Sequence, residues 1–385
     1  MLDVESLINP HLRAMQPYAP IAPFEILARR LGLPAESIVK LDANENPYGP
    51  PPRVREALAR AETIHIYPDP DQTLLREAIA SSLGLPAAHI LCGAGADEII
   101  DLVARVFVQP GDAILDLPPT FGMYRWIADI TNAAYYAAPR RADFSVDVAA
   151  IQQLCARASS AGHTPKLLFI ADPNNPDGST ISDETLRALL ALPLVVVLDE
   201  AYVDFSAQPS RAGWVLRHTN LIVLRTFSKL AGMAGLRVGY GVFPLEVIKH
   251  LWKVKQPYTP NVAGSLGAIA ALSDAAYLNQ TVQALVAERE HMRERLSHFE
   301  WLHVFPSQAN FVLCRVDERA PLPPHPLDWP AARRLKHALE QRGVLIRYFD
   351  RDGLRDCVRI SVGRPDQTDR LLATIQDVLS PTSSG

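Results

Sequence analysis

Between Leu91 and Gly241, short apolar runs of strand length alternate with amphipathic stretches. HILCGAGAD leads into EIIDLVARVFV, and DAILDLPP into TFGMYRWIADI. KLLFIADP leads through a loop to ETLRALLALP; LVVVLDEAY and LIVLRTFSK follow. Most of these runs are too short for helices, and two are rich in β-branched residues. Such alternation predicts an α/β domain around a mostly parallel sheet. Functional residues are then expected at the C-terminal ends of the strands. From Ala284 to Phe299 the chain becomes charged and periodic, which predicts a long helix bridging two domains. NFVLCRV, a helix near Ala331 to Arg342, VLIRYF and CVRISVG follow, as in a smaller α+β domain. The expected division is an N-terminal arm (1–50) packing on the small domain, a large domain (51–283) and a small domain (284–385). The tail SPTSSG is expected to be disordered.

The chain has 385 residues, 48% of them apolar, enough for a large core and about two domains. Its formal charge of −4 and the lack of a basic block argue against a nucleic-acid partner. The longest strongly apolar stretch, Leu192 to Leu198, is far below the roughly 20 residues of a membrane span, and the N-terminus lacks a signal-peptide pattern. A cytoplasmic location is therefore expected, with no membrane partner. Cys92, Cys155, Cys314 and Cys357 lack the spacing of a zinc or redox pair and read as buried free thiols in a reducing compartment. No metal site is expected.

Seven lysines stand against thirty-one arginines. Lys229 follows the apolar run LIVLRTF, and a lysine at the end of a buried strand is costly unless paired or reactive. Its amine can condense with an aldehyde cofactor, or simply snorkel to solvent. Ser228 and Arg237 beside it suit a phosphate-bearing ligand. Cys92-Gly-Ala-Gly-Ala-Asp-Glu98 follows one strand and opens a helix, so its backbone can approach an anion. Glu98 spoils a complete G-x-G-x-x-G, which weakens a dinucleotide reading, and a glycine-rich turn without ligand fits as well. Asp172-Pro-Asn-Asn-Pro-Asp-Gly178 is explained by a turn alone. Asp199 ends a strand of valines and leucines; a helix cap or a cationic partner would satisfy it.

Taken in order, these strings resemble the fold-type I pyridoxal-phosphate (PLP)-dependent aminotransferases from about Tyr18 to Gly363. They are DANENP (42–47), YPDP (67–70), GAGADE (93–98), PTFGMY (119–124), DPNNPDG (172–178), DEAY (199–202), TFSKLAGMAGLRVGY (226–240), ANF (309–311) and VRISVG (358–363). Within that superfamily the sequence is most similar to the histidinol-phosphate aminotransferases. The resemblance implies that Lys229 carries pyridoxal 5'-phosphate and moves the proton at the reacting carbon. It implies that Asp199 pairs with the ring nitrogen, that Tyr202 and Asn175 reach the ring hydroxyl, and that Phe121 stacks on the ring. Ala96, Asp97, Ser228 and Arg237 would hold the cofactor phosphate, and Tyr67 would reach it from the other subunit of a homodimer. Tyr18, Asn44, Arg347 and Arg359 would contact small-molecule substrates. The implied reaction moves the amino group of L-histidinol phosphate to 2-oxoglutarate. An aromatic amino acid transaminase and a phosphothreonine decarboxylase are the alternatives on this scaffold. Asp177 stands where relatives have Thr, which implies a local change beside the ring contact.

Overall fold

The computed structural model describes residues 2–17 and 23–379, with the Glu25 side chain left out. Tyr18 and the SPTSSG tail lie outside the described residues. In chain order the strands are β1 (Val39–Leu41), β2 (Ile90–Gly93), β3 (Asp112–Asp116), β4 (Ala134–Ala137), β5 (Thr164–Ala171) and β6 (Val195–Asp199). They continue with β7 (Leu221–Thr226), β8 (Gly239–Val242), β9 (Leu302–Val304), β10 (Phe311–Val316), β11 (Val344–Tyr348) and β12 (Cys357–Ser361).

Seven of these strands form one sheet in the order β2-β8-β7-β6-β5-β3-β4. All neighbours pair in parallel except at β8, which is antiparallel to both β2 and β7. The central strands are buried on both faces, and their side chains divide with period two between two cores. Leu168, Ile170, Val196, Leu198, Leu221 and Val223 enter one core. Leu167, Phe169, Val197, Ile222 and Leu224 enter the other. That is why these runs read as continuously apolar instead of alternating.

The second sheet has the order β1-β11-β12-β10-β9. β1 runs parallel to β11, with Val39 opposite Val344; the other pairs are antiparallel. Its core includes Phe311, Val312, Leu335, Val344, Val358 and Ile360. The segment preceding β1 contributes Leu27 and Ile38 to a small cluster with Leu345.

The charged helix starts earlier than its sequence pattern indicates. It runs from Ala275 to Ser297, capped by the Asp274 side chain, which accepts from Tyr277 N. Its first turns, AAYLNQTVQAL, carry no charge, so charge periodicity marks only the second half. A division at residue 283 falls inside this continuous helix. Among the cysteines, Cys92, Cys314 and Cys357 are buried, but Cys155 is only half-buried, on the helix Val148–Ser160. All four are free. Among the described residues, no helix is long and apolar enough to cross a membrane.

Candidate active site

The parallel strands deliver their C-terminal ends to one cavity of about 180 Å³, lined among others by Ala96, Asp97, Phe121, Asn175, Asp199, Tyr202, Ser228, Lys229 and Arg237. Asp199 is the last residue of β6, and Lys229 lies three positions beyond β7. Asn175 follows β5, Phe121 follows β3, and Ala96 begins the helix Ala96–Phe107 after β2. The helix can start so soon because Gly95 takes φ +85, and a Cβ there would lie 2.6 Å from Arg237 Nη2. Gly239 on β8 is equally tight: a Cβ would meet Ala96 N at 2.3 Å. The glycines thus let the helix N-terminus, Ser228 and Arg237 close on one another as an anion cradle. Arg237 Nη2 donates to Asp97 Oδ2 at 3.0 Å.

Asp199 is buried, and burial pushes its carboxyl up to about 6 against the hydrogen bonds that lower it. Tyr124 Oη donates to its Oδ2 at 2.7 Å, and Ala201 N donates to its Oδ1 at 3.0 Å. It makes no ion pair among the described residues. An ionised carboxylate in that position wants a cationic N–H facing it from the cavity. Tyr124 is itself fixed by stacking on Phe169, with centroids 4.9 Å apart, and meets Phe121 edge-on at 5.7 Å.

Lys229 Nζ lies 3.4 Å from Ala43 O and 5.6 Å from the centre of the Tyr202 ring. The Tyr202 hydroxyl accepts from Asn44 Nδ2 at 3.0 Å and from Asn175 Nδ2 at 3.5 Å. Its own O–H is left to donate elsewhere. Asn44 adopts φ +55 and is locked by Ser361: its N donates to Ser361 Oγ at 2.8 Å, and its Oδ1 accepts from the same hydroxyl at 2.9 Å. Arg359, buried on β12, donates from Nη1 to Asn175 Oδ1 at 2.6 Å and from Nη2 to Asp42 O at 2.8 Å.

A second cavity of about 190 Å³ shares Ala43, Phe121, Asn175, Tyr202 and Lys229 with the first and adds Asn44, Arg347, Arg351 and Arg359. The sequence-derived residues other than Tyr18 and Tyr67 therefore line one continuous site. Tyr67 is 76% exposed and stacks on Tyr258 at 4.3 Å. It lines a separate groove with Ile66, Leu266 and Ile269, away from Lys229 of its own chain. Sequence reasoning missed Tyr124 and Arg351. Tyr124 stands three positions after Phe121, inside a string already singled out, and its pairing with Asp199 spans two elements. Asp177 is buried in the loop behind Asn175, where its carboxylate accepts from Asn174 Nδ2 and, at 2.8 Å, from Ser179 N.

The family profile of aminotransferase class I and II matches residues 36–375. The chain belongs to that family. It is 48% identical over 97% of its length to the chloroplastic histidinol-phosphate aminotransferase of Nicotiana plumbaginifolia, covering 86% of that protein. It is 47% identical over 98% of its length to the histidinol-phosphate aminotransferase of Roseiflexus castenholzii, covering 99% of it. Among solved structures it is similar to the Sinorhizobium meliloti histidinol-phosphate aminotransferase in complex with pyridoxal-5'-phosphate. There the TM-score is 0.85 at 26% identity, over 97% of this chain and 98% of that one. Thermus thermophilus aspartate aminotransferase, at 21% identity and a TM-score of 0.77, shares the fold.

Proposed function

We propose that the chain is a PLP-dependent aminotransferase that moves the amino group of L-histidinol phosphate to 2-oxoglutarate, giving imidazole-acetol phosphate and L-glutamate in histidine biosynthesis. The relatives above carry that activity in their names, at 47–48% identity over nearly the whole chain. The structural observation that carries the reading is the run of arginines beside Lys229. Arg347, Arg351 and Arg359 line the cavity that adjoins the lysine, as a phosphorylated amino donor and a dicarboxylic acceptor both require.

The donor set fits the cofactor. A buried carboxylate with no ion pair among the described residues, a lysine amine and a glycine-built anion cradle share one cavity. PLP, when bound, supplies an electron sink for the carbon bearing the amino group. Asp199 would hold a proton on the ring nitrogen, its carboxylate kept in direction by Tyr124 Oη and Ala201 N. Tyr202 donates from its hydroxyl, held in place by Asn44 and Asn175. Lys229 Nζ would carry the proton away from the amino-bearing carbon of the donor and, in the second half of the exchange, deliver one to the carbonyl carbon of the acceptor. Ala96, Asp97, Ser228 and Arg237 would anchor the phosphate, and Phe121 would stack on the ring.

The same reading places Tyr67 on the phosphate of a partner subunit's site. Its exposure supports a homodimer, as do its neighbours Ile64, Ile66 and Leu74, which are 68%, 54% and 70% exposed. An apolar patch of this kind marks an interaction surface. The arm, large and small domains at 1–50, 51–283 and 284–385 belong to this reading, as does a cytoplasmic location, for which the free cysteines speak.

The test is a steady-state comparison of histidinol phosphate, phenylalanine and tyrosine with 2-oxoglutarate as acceptor. Histidinol phosphate is expected to give the highest kcat/KM. Faster turnover of phenylalanine would make the chain an aromatic transaminase, and carbon dioxide release from phosphothreonine would make it a decarboxylase.

A further inference from the structure

The sequence singles out two arginines for the substrate, but the cavity holds three. The guanidinium carbons of Arg347, Arg351 and Arg359 lie 5.8, 5.3 and 5.6 Å from the centre of the Phe349 ring. Gathered round one ring, these three guanidiniums concentrate positive charge on one wall of the cavity. Arg359 is already engaged with Asn175 and Asp42 O through both terminal nitrogens, so its fork faces the two loops that it ties together. Arg347 stands opposite Arg359 in the β11–β12 register and makes no ion pair among the described residues. Arg351 comes from the loop after β11 and is exposed at the cavity mouth. It lies near enough to Asp116, at the end of β3, for its charge to lower that carboxyl, which burial pushes up to about 6.

Resting on the phosphate-donor reading above, we infer that Arg351 is a specificity-determining residue whose guanidinium joins Arg347 in binding the phosphate of the amino donor. A phosphate monoester carries about −1.5 to −2 charges at neutral pH and offers three acceptor oxygens. One guanidinium neutralises about half of that charge and occupies two oxygens at most. A second cation from a different loop completes both counts. An aromatic amino acid presents at that end only its singly charged α-carboxylate, two bonds nearer the amino-bearing carbon, which one guanidinium satisfies; Arg351 thus distinguishes the two donors by charge and by reach. Its position on a loop, rather than on the strand that carries Arg359, lets it approach from the open side after the substrate has entered.

The test compares the unmodified holoenzyme with R351Q and R351K. For R351Q the expected result is about a tenfold fall in the ratio of kcat/KM for histidinol phosphate to that for phenylalanine, equivalent to ~1.4 kcal/mol. The fall should reside in KM for histidinol phosphate, with kcat nearly kept. The inhibition constant of inorganic phosphate against phenylalanine should rise by a similar factor. R351K keeps the charge without the fork and should fall between the two. An unchanged ratio and unchanged phosphate inhibition in R351Q would overturn the inference while leaving the reaction assignment intact. Equal losses for both donors would also overturn it, because the residue would then be acting on the fold or the shared site. Failure of the unmodified enzyme to use histidinol phosphate would instead defeat the reaction assignment, and the phosphate-inhibition comparison would still decide whether Arg351 binds phosphate.

Discussion

Replacing Asp199 with Asn is expected to stabilise the cofactor-free chain at neutral pH and, at the same time, to weaken its hold on PLP. In the folded chain the Asp199 carboxyl sits at about 6, against 3.8 for an ordinary aspartate, because burial disfavours its charge. The folded state therefore binds this proton more tightly than the unfolded chain does. The stability linked to it is fully present below pH 3.8 and is lost as pH rises through 6. At about 1.4 kcal/mol per pH unit, the ionised group costs about 3 kcal/mol above pH 7. Asparagine removes that cost and keeps the local contacts, since its carbonyl can accept from Ala201 N and its amide can donate to the Tyr124 oxygen.

The assay is urea unfolding of the apo forms of both proteins between pH 4 and 8. The asparagine variant should lead by about 3 kcal/mol at pH 7 to 8, and most of the lead should be gone at pH 4. Asp116, Asp172 and Glu200 are also raised by burial, to about 6, 6 and 7. Both proteins share them, so they cancel in the difference. Saturating PLP should narrow or reverse the lead, because only the carboxylate can pair with a protonated ring nitrogen. A variant less stable than the parent at pH 7, or a lead independent of pH, would refute the claim that Asp199 is a buried charge awaiting a cationic partner.

Three further outcomes are expected. Lys229→Ala should lose the pH-dependent visible absorbance of the covalently held cofactor together with virtually all turnover; near-normal activity with PLP supplied would remove Lys229 from its role. Hybrids of Tyr67→Phe and Lys229→Ala subunits should regain part of the activity, since one composite site then carries both lesions and the other neither; hybrids no better than the worse parent, or a fully active monomer, would contradict sharing across an interface. Arg359→Lys keeps the charge but cannot serve both Asn175 Oδ1 and Asp42 O, and should cost roughly 1–3 kcal/mol in kcat/KM, read by steady-state kinetics with each donor. No loss for either donor would mean that the fork geometry is not used.

The parts of this architecture that were legible in the sequence are those in which a local pattern carries the information. Val195 to Asp199 and Leu221 to Thr226 announce themselves because both faces of the sheet are covered, leaving no polar residue to interrupt the run until the strand reaches the site. Asp199 and Lys229 then stand out as charges that end apolar strands. Strands without such a run stayed hidden. Gly239–Val242 reads GYGV, with glycines selected by close approach of Ala96 and Phe243 instead of by strand propensity. Ala134–Ala137 lies at the sheet edge and is only half-buried. Val39–Leu41 is three residues long.

The contacts that make the site one unit are of another kind. Asn44 reaches Tyr202 across 158 positions, Arg359 reaches Asn175 across 184, and Arg359 and Asp42 meet across 317. No periodicity links residues so far apart; only the packing of the two sheets brings them together. Through these bonds β12 and the loop after β1, both on the five-stranded sheet, hold Asn175 and Tyr202 of the seven-stranded one. Tyr202 bridges the two in its packing as well, meeting Phe311 of β10 edge-on at 5.0 Å. The residues that orient the cofactor side of the cavity and those that face the substrate thus share one hydrogen-bonded frame. A shift of the small sheet must be felt at the Tyr202 hydroxyl, which ties substrate recognition on one sheet to chemistry on the other.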